Sequence, residues 1–271
     1  MSRYIQIEFQ NISQQQSDIL IAHLNEIGFE GFEEEQSKLK AFITSTAFDE
    51  NLLKYISSPL QLDFSKTIIE ETNWNQVWES NFDPVIVDDF VAVRAGFHEP
   101  VKEAKLEIII TPKMSFGTGH HATTFMMMRQ MREIDFADKT VFDFGTGTGV
   151  LAILAEKLGA KTVLAIDNDS WSIDNAAENI KRNDCTRIEL KLADTAATNE
   201  NFDIILANIN KNVILDNFEL LAEQLLPGGI LLLSGLLTED KQDILAKSRD
   251  LYLQILQVGE RHNWLFIKLS H

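Results

Sequence analysis

Asp143, Gly145, Gly147 and Gly149 stand at alternate positions in the run from Thr140 to Gly149, Thr-Val-Phe-Asp-Phe-Gly-Thr-Gly-Thr-Gly. A short apolar run ending in a carboxylate and three glycines reads as a strand that turns directly into a helix. Glycine lets the backbone turn sharply and lie against a ligand, and the amides opening the helix at Val150 face whatever sits there. A dinucleotide fingerprint needs glycine where Val150 stands, so the pattern is Asp-x-Gly-x-Gly-x-Gly instead. A carboxylate ahead of the glycines would accept from an amine or hydroxyl and would repel a pyrophosphate. The favoured ligand therefore carries an ammonium or sulfonium and a ribose, a description that S-adenosylmethionine fits. A tight strand-to-helix turn in any α/β protein is the plainer reading of the same residues.

Further candidates lie where later strands end. Asp167 closes the next strand, roughly twenty residues beyond the glycines, where a carboxylate can take both ribose hydroxyls. Asp169 is better placed to cap the following helix. Asp194 follows the third strand and faces either an adenine amine or solvent. Asn208 ends a fourth strand, and its side-chain oxygen could accept from an amine and aim it, or simply close a turn. A second glycine-rich stretch, Thr111 to Thr124, supplies Gly117 and Gly119, the hydroxyls of Thr118, Thr123 and Thr124, and Phe116. Phe116 could form a cation–π wall beside a bound cation, or be core. The adjacent His120 and His121 make a weak metal site, having no carboxylate in the motif.

The elements that must hold these residues follow from periodicity. Tyr4 to Phe9 alternates as a strand, Ser13 to Ile27 has a helical apolar spacing stopped by Gly28, and Phe29 to Glu34 and Leu39 to Thr46 read as strands. Asp49 caps a helix stopped near Pro59, and Leu60 to Glu70 alternates again. The order βαββαβ over residues 1–70 is a ferredoxin-like α+β domain, suited to substrate recognition. Residues 71–89 form a linker helix with Trp74, Trp78 and Phe82 four residues apart on one face. Residues 90–271 are the catalytic domain. Val85 to Ile110 reads as two or three strands, Phe125 to Ile134 as a helix whose methionines are core, and strand and helix units then alternate from Thr140 to Ser248. The last two strands, Leu251 to Val258 and Trp264 to Leu269, form a hairpin that places one antiparallel strand in a doubly wound, Rossmann-like parallel sheet. Ligands in such sheets bind at the carboxyl ends of the strands, and that rule puts Asp143, Gly145, Asp167 and Asn208 on one rim.

Charge narrows the partner. With 24 Lys and Arg against 41 Asp and Glu, the net charge of −17 argues against a protein that grips phosphate backbones directly. A basic partner is favoured through encounter rate, although acidic surfaces also serve solubility. The single cysteine, Cys185, excludes an internal disulfide and a cysteine-built zinc site. The N-terminus has no apolar signal core and no stretch reaches the ~20 apolar residues of a membrane helix, so a cytoplasmic protein without a membrane partner is expected.

Pro112 to Thr124, Asp143 to Gly149, Ile166-Asp-Asn-Asp169, Leu206-Ala-Asn-Ile209, and Gly228-Gly229 with Leu233-Ser-Gly235 together resemble the bacterial methyltransferases of large-subunit ribosomal protein L-eleven. The resemblance covers most of the chain. Phe-Gly-Thr-Gly-x-His-x-Thr-Thr is its specific motif, whereas the glycine run is shared by methyltransferases in general. The resemblance implies S-adenosylmethionine as cofactor, with Thr124, Gly145, Asp167 and Asn208 at matching contact positions beside Asp143, Gly147 and Gly149, and S-adenosylhomocysteine as product. It also implies transfer to lysine side chains and an α-amine, with the N-terminal module holding the ribosomal protein, which is expected to be free of the ribosome. A monomer with no metal is expected. The chain departs from the family pattern at Lys113, Ser115, His120, Ala122 and Asn210. Another amine methyltransferase, acting on a different basic protein or a small molecule, is the alternative. A nicotinamide-dependent oxidoreductase would require glycine at 150, and a binder with a vestigial pocket would tolerate loss of Asp167 or Asn208.

Overall fold

Alternating side chains build the first of two compact units, Met1–Asn81 and Phe82–His271. The computed structural model describes residues 4–29, 31–35, 37–69, 83–111 and 121–271. The linker-helix residues Trp74, Trp78 and Phe82 lie outside them. In the first unit β1 (Tyr4–Gln10), α1 (Gln14–Glu26), β2 (Gly31–Glu35), β3 (Lys38–Thr44), α2 (Glu50–Ser57) and β4 (Phe64–Ile69) follow in order. The strands form an antiparallel sheet ordered β2-β3-β1-β4. Register pairs Ile5 with Ile43, Ile7 with Ala41 and Phe9 with Leu39. All six are buried with Leu20, Leu24 and Leu53 of the helices, so one face of the sheet carries the core. Asp49 caps α2, its Oδ1 accepting from the Asn51 amide at 2.8 Å.

The second unit opens with β5 (Val85–Val87), β6 (Val91–Ala95) and β7 (Leu106–Ile110), a small sheet in which β5 and β6 are antiparallel and β6 and β7 parallel. Because Val85–Val87 pairs here, this unit begins earlier than residue 90, with Asp88 and Asp89 in the turn that leads to β6. The main chain of elements is α3 (Ala122–Met131), β8 (Thr140–Phe144), α4 (Val150–Lys157), β9 (Thr162–Asp167), α5 (Ser170–Arg182), β10 (Ile188–Leu192), β11 (Phe202–Asn208), α6 (Lys211–Glu223), β12 (Leu225–Leu237), α7 (Lys241–Asp250), β13 (Gln254–Arg261) and β14 (Trp264–Ser270). Their sheet runs β10-β9-β8-β11-β12-β14-β13, parallel except for β14. Strand order reverses between β8 and β11, which places a crevice at their carboxyl ends.

Both faces of this sheet are covered, so its central strands are apolar throughout rather than alternating. Val141 and Leu206 pack into one core with Met127, Met128 and Met131 of α3 and Ile153 of α4. Phe142 and Ile205 face the opposite core with Phe218 and Leu221 of α6. Some ends differ from those read off the periodicity. The sequence predicts a helix running to Leu226, but α6 stops at Glu223 because Leu225 pairs with Phe202 and starts β12. The strand predicted from Leu251 begins at Gln254, since Tyr252 adopts a left-handed φ of 58° that an extended strand excludes.

Candidate active site

A cavity of about 370 Å³ opens at the carboxyl ends of β8 and β11. Its floor is the glycine turn, and the three alternate glycines are required there: Gly145, Gly147 and Gly149 have φ of 78°, 54° and 80°. Those values lie in the left-handed region that side chains disfavour. The amides of Gly145 and Thr146 both donate to the Ile166 carbonyl at 2.9 Å, which ties the turn to β9. Asp167 then grips it from the side, Oδ2 accepting from the Gly147 amide at 2.8 Å and Oδ1 from the Asp169 amide at 3.0 Å. Gly145, Gly147 and Asp167 line the cavity. Gly149 instead lies against Ala176 of α5, where a Cβ would come within 3.2 Å of the Ala176 Cβ.

Asp143 lies beneath the turn rather than on its surface. It is wholly buried and is not among the residues that line the cavity. Oδ2 accepts from the Thr146 hydroxyl at 2.6 Å, while Oδ1 has no hydrogen-bond partner. Burial pushes its carboxyl up to about 7, against the opposing hydrogen bond from Thr146 and with a further upward contribution from the charge of Asp167. The group is thus poised between a neutral acid and a carboxylate near neutral pH.

The opposite wall joins segments far apart in the chain. Asn208, at the end of β11, donates from Nδ2 to the Thr124 hydroxyl of α3 at 3.1 Å, and its Oδ1 is buried with no hydrogen-bond partner. A buried acceptor left without a partner beside a cavity is a candidate ligand contact. Asn210, also on the cavity, caps α6 by accepting from the Val213 amide at 3.1 Å. Asp194 is exposed and does not line the cavity, and Phe116 and His120 lie outside the described residues.

Several lining residues make contacts that their local sequence does not give. His121 caps α3, its Nδ1 lying 2.8 Å from the Thr123 hydroxyl, and its ring meets Trp264 of β14 edge to face at 4.6 Å. Partial burial lowers the His121 pKa, disfavouring the charged imidazolium. Ile209 is clasped between two glycines: a Cβ on Gly145 would collide with its side chain, and one on Gly235 with its backbone. The Leu-Ser-Gly triplet at 233–235 was the only sequence signal for that contact; Trp264 and Ser172 had none. The floor offers a carboxylate beside a buried acid, and the wall offers a carboxamide oxygen without a partner. Together they can hold a polar nucleoside-like ligand and orient a hydrogen-bond donor against it.

The comparisons with known proteins agree with one another. The family model described as "Ribosomal protein L11 methyltransferase" matches residues 4–271. A ribosomal protein L11 methyltransferase of Porphyromonas gingivalis is 42% identical over 261 residues, 93% of this chain and 90% of that protein. One from Chlorobaculum tepidum is 41% identical over 237 residues, 83% of this chain and 82% of its own length. Among solved structures, the ribosomal protein L11 methylase of Lactobacillus delbrueckii subsp. bulgaricus superposes with a TM-score of 0.66 at 30% identity, covering 70% of this chain and 99% of its own.

Proposed function

The chain belongs to the ribosomal protein L11 methyltransferase family, and from that premise we propose how its cavity serves transfer of methyl groups from S-adenosylmethionine to amines of ribosomal protein L11. It is a protein methyltransferase. When bound, S-adenosylmethionine supplies an electrophilic methyl group on a sulfonium. The residues suit such a ligand: Gly145 and Gly147 line the cavity in left-handed backbone, Asp167 offers carboxylate oxygens to ribose hydroxyls, and Asp143 lies buried under the turn. Gly145, Gly147 and Asp167 would hold it directly. Gly149 would act through helix packing and Asp143 by supporting the turn from below.

The observation that carries the reading is the Asn208 carboxamide. Its amide nitrogen donates to the Thr124 hydroxyl, and its oxygen, buried beside the cavity, has no partner. It accepts an N–H of the incoming amine and aims the nitrogen lone pair. A lysine, with a pKa near ~10.4, must arrive neutral, and desolvation in the cavity favours that form. The role proposed for Phe116 is that of a cation–π partner of the sulfonium. The targets are lysine side chains and the N-terminal amine of L11 free of the ribosome. Residues 1–70 recognise that protein, residues 71–89 link the parts, and the enzyme works as a cytoplasmic monomer with no direct nucleic-acid contact.

The test is incubation of the full-length protein with labelled S-adenosylmethionine and recombinant L11, read by intact mass. Methyl-sized mass steps that disappear in Asn208→Ala, with cofactor binding retained, are expected. Cofactor binding with no transfer to L11 by the unaltered protein would refute the acceptor assignment.

A further inference from the structure

Three asparagines stand four residues apart, Asn175 and Asn179 within α5 and Asn183 capping its end, the first two wholly buried and the third partly so. Asparagine is a poor residue for a helix interior because its side chain competes for backbone groups, and a buried carboxamide must find partners. An alanine or leucine face would pack α5 with less penalty, so the row needs a reason.

Asn183 has an architectural one. Its Oδ1 accepts from the Ile109 amide at 2.9 Å and its Nδ2 donates to the Ile109 carbonyl at 2.6 Å, pairing with β7 as a neighbouring strand would. β7 is an edge of its three-stranded sheet, and the carboxamide satisfies that edge. One turn back, Asn179 does something different. Its Oδ1 accepts from the Thr111 amide at 2.8 Å, while its Nδ2 donates to the Thr148 carbonyl at 2.9 Å and to Asn175 Oδ1 at 3.3 Å. Thr111 continues from β7 and opens the second glycine-rich stretch of the sequence; Thr148 lies in the first, on the cavity. One buried side chain therefore spans the backbones from which both glycine motifs are built.

We infer that Asn179 is a positioning residue for the methyl transfer, holding the cofactor turn at Thr148 in register with the backbone at Thr111. Besides the Ile166 carbonyl, the turn then has two side-chain anchors, Asp167 on the Gly147 amide and Asn179 on the Thr148 carbonyl. Asn175 supports the second: its Oδ1 takes the remaining reach of Asn179 Nδ2, and its own buried Nδ2 has no partner, so the row is not built for stability alone. Asn183 sets the matched comparison, since it clasps the same stretch of chain from the same helix and does not touch the turn.

This inference rests on the proposed cofactor site, and the experiment separates the two. Binding of S-adenosylhomocysteine is measured by calorimetry on the full-length protein and on Asn179→Ala and Asn183→Ala, alongside their thermal midpoints. No binding by the unaltered protein would defeat the cofactor reading itself. Given binding, both variants should lose thermal stability, but N179A should weaken S-adenosylhomocysteine about tenfold while N183A stays within about twofold. Equal affinities for the two variants would overturn the role. Hydrogen exchange on the unaltered protein tests it without a substitution: S-adenosylhomocysteine should slow exchange at the Thr111 amide as well as in the glycine turn. Protection confined to the turn would show that Asn179 transmits nothing.

Discussion

Asp143 shows how a single residue type can be read correctly and its task only after folding. A carboxylate before a glycine run predicts contact with a cationic or hydroxylated ligand. The structure places it under the turn, buried and on the Thr146 hydroxyl. Its titration gives a stability signature. The carboxyl is raised from 3.8 to about 7, so its contribution is fully present below the ordinary carboxylate range. As pH rises the unfolded chain ionises first while the folded carboxyl keeps its proton, and stability falls until about pH 7 is passed. The ligand-free protein should therefore lose up to roughly 4 kcal/mol from this group between about pH 4 and pH 8. Asp143→Asn should flatten that slope and be the more stable form at the alkaline end. Thermal melts across pH check this, and an unchanged slope would refute the assignment.

Elements decide how closely the wall approaches the floor. The 208–210 segment that follows β11 sits between the glycine turn after β8 and the bend of β12 at Gly235, whose φ is 83°. A methyl group at Gly235 meets the Ile209 backbone, so Gly235→Ala must displace the segment that carries Asn208. The expected result is a folded protein about 1–3 kcal/mol less stable. Methyl transfer should fall at least about tenfold, mainly in kcat, because misplaced reacting atoms are penalised more than binding. Full activity in that variant would show that the spacing of β11 and β12 does not matter. The glycine-to-helix turn and the strand ends at Asp167 and Asn208 were legible from local patterns. The approach of Ile209 to Gly235 was not, since it joins two strands whose register is set by the whole sheet.

At the scale of the molecule the excess of acidic over basic residues sets a field rather than a site. Most ion pairs are exposed, such as Lys54 with Glu50 and Lys247 with Glu219, and add little to stability. The field acts on encounter with a basic substrate and is screened by salt. Raising ionic strength from about 50 to about 300 mM should increase KM for L11 several-fold with kcat nearly constant. A salt-independent KM would remove long-range attraction from the account of substrate capture.

The sequence alone determined what depends on neighbours a few residues away. It set the period-2 and period-3.6 runs that make β1, α1 and β8, the glycines that only a left-handed turn requires, and the carboxylate that ends β9. The specific Gly-x-His-x-Thr-Thr motif and the glycine run together were enough to point to a methyltransferase family. Only the tertiary structure decided which groups meet across the chain: Thr124 with Asn208, His121 with Trp264, and Thr111 with Thr148 through Asn179. Those pairings arise where strand order reverses between β8 and β11 and where a helix face packs on a sheet edge. No local pattern encodes them, because the partners are brought together by the register and burial of the whole sheet.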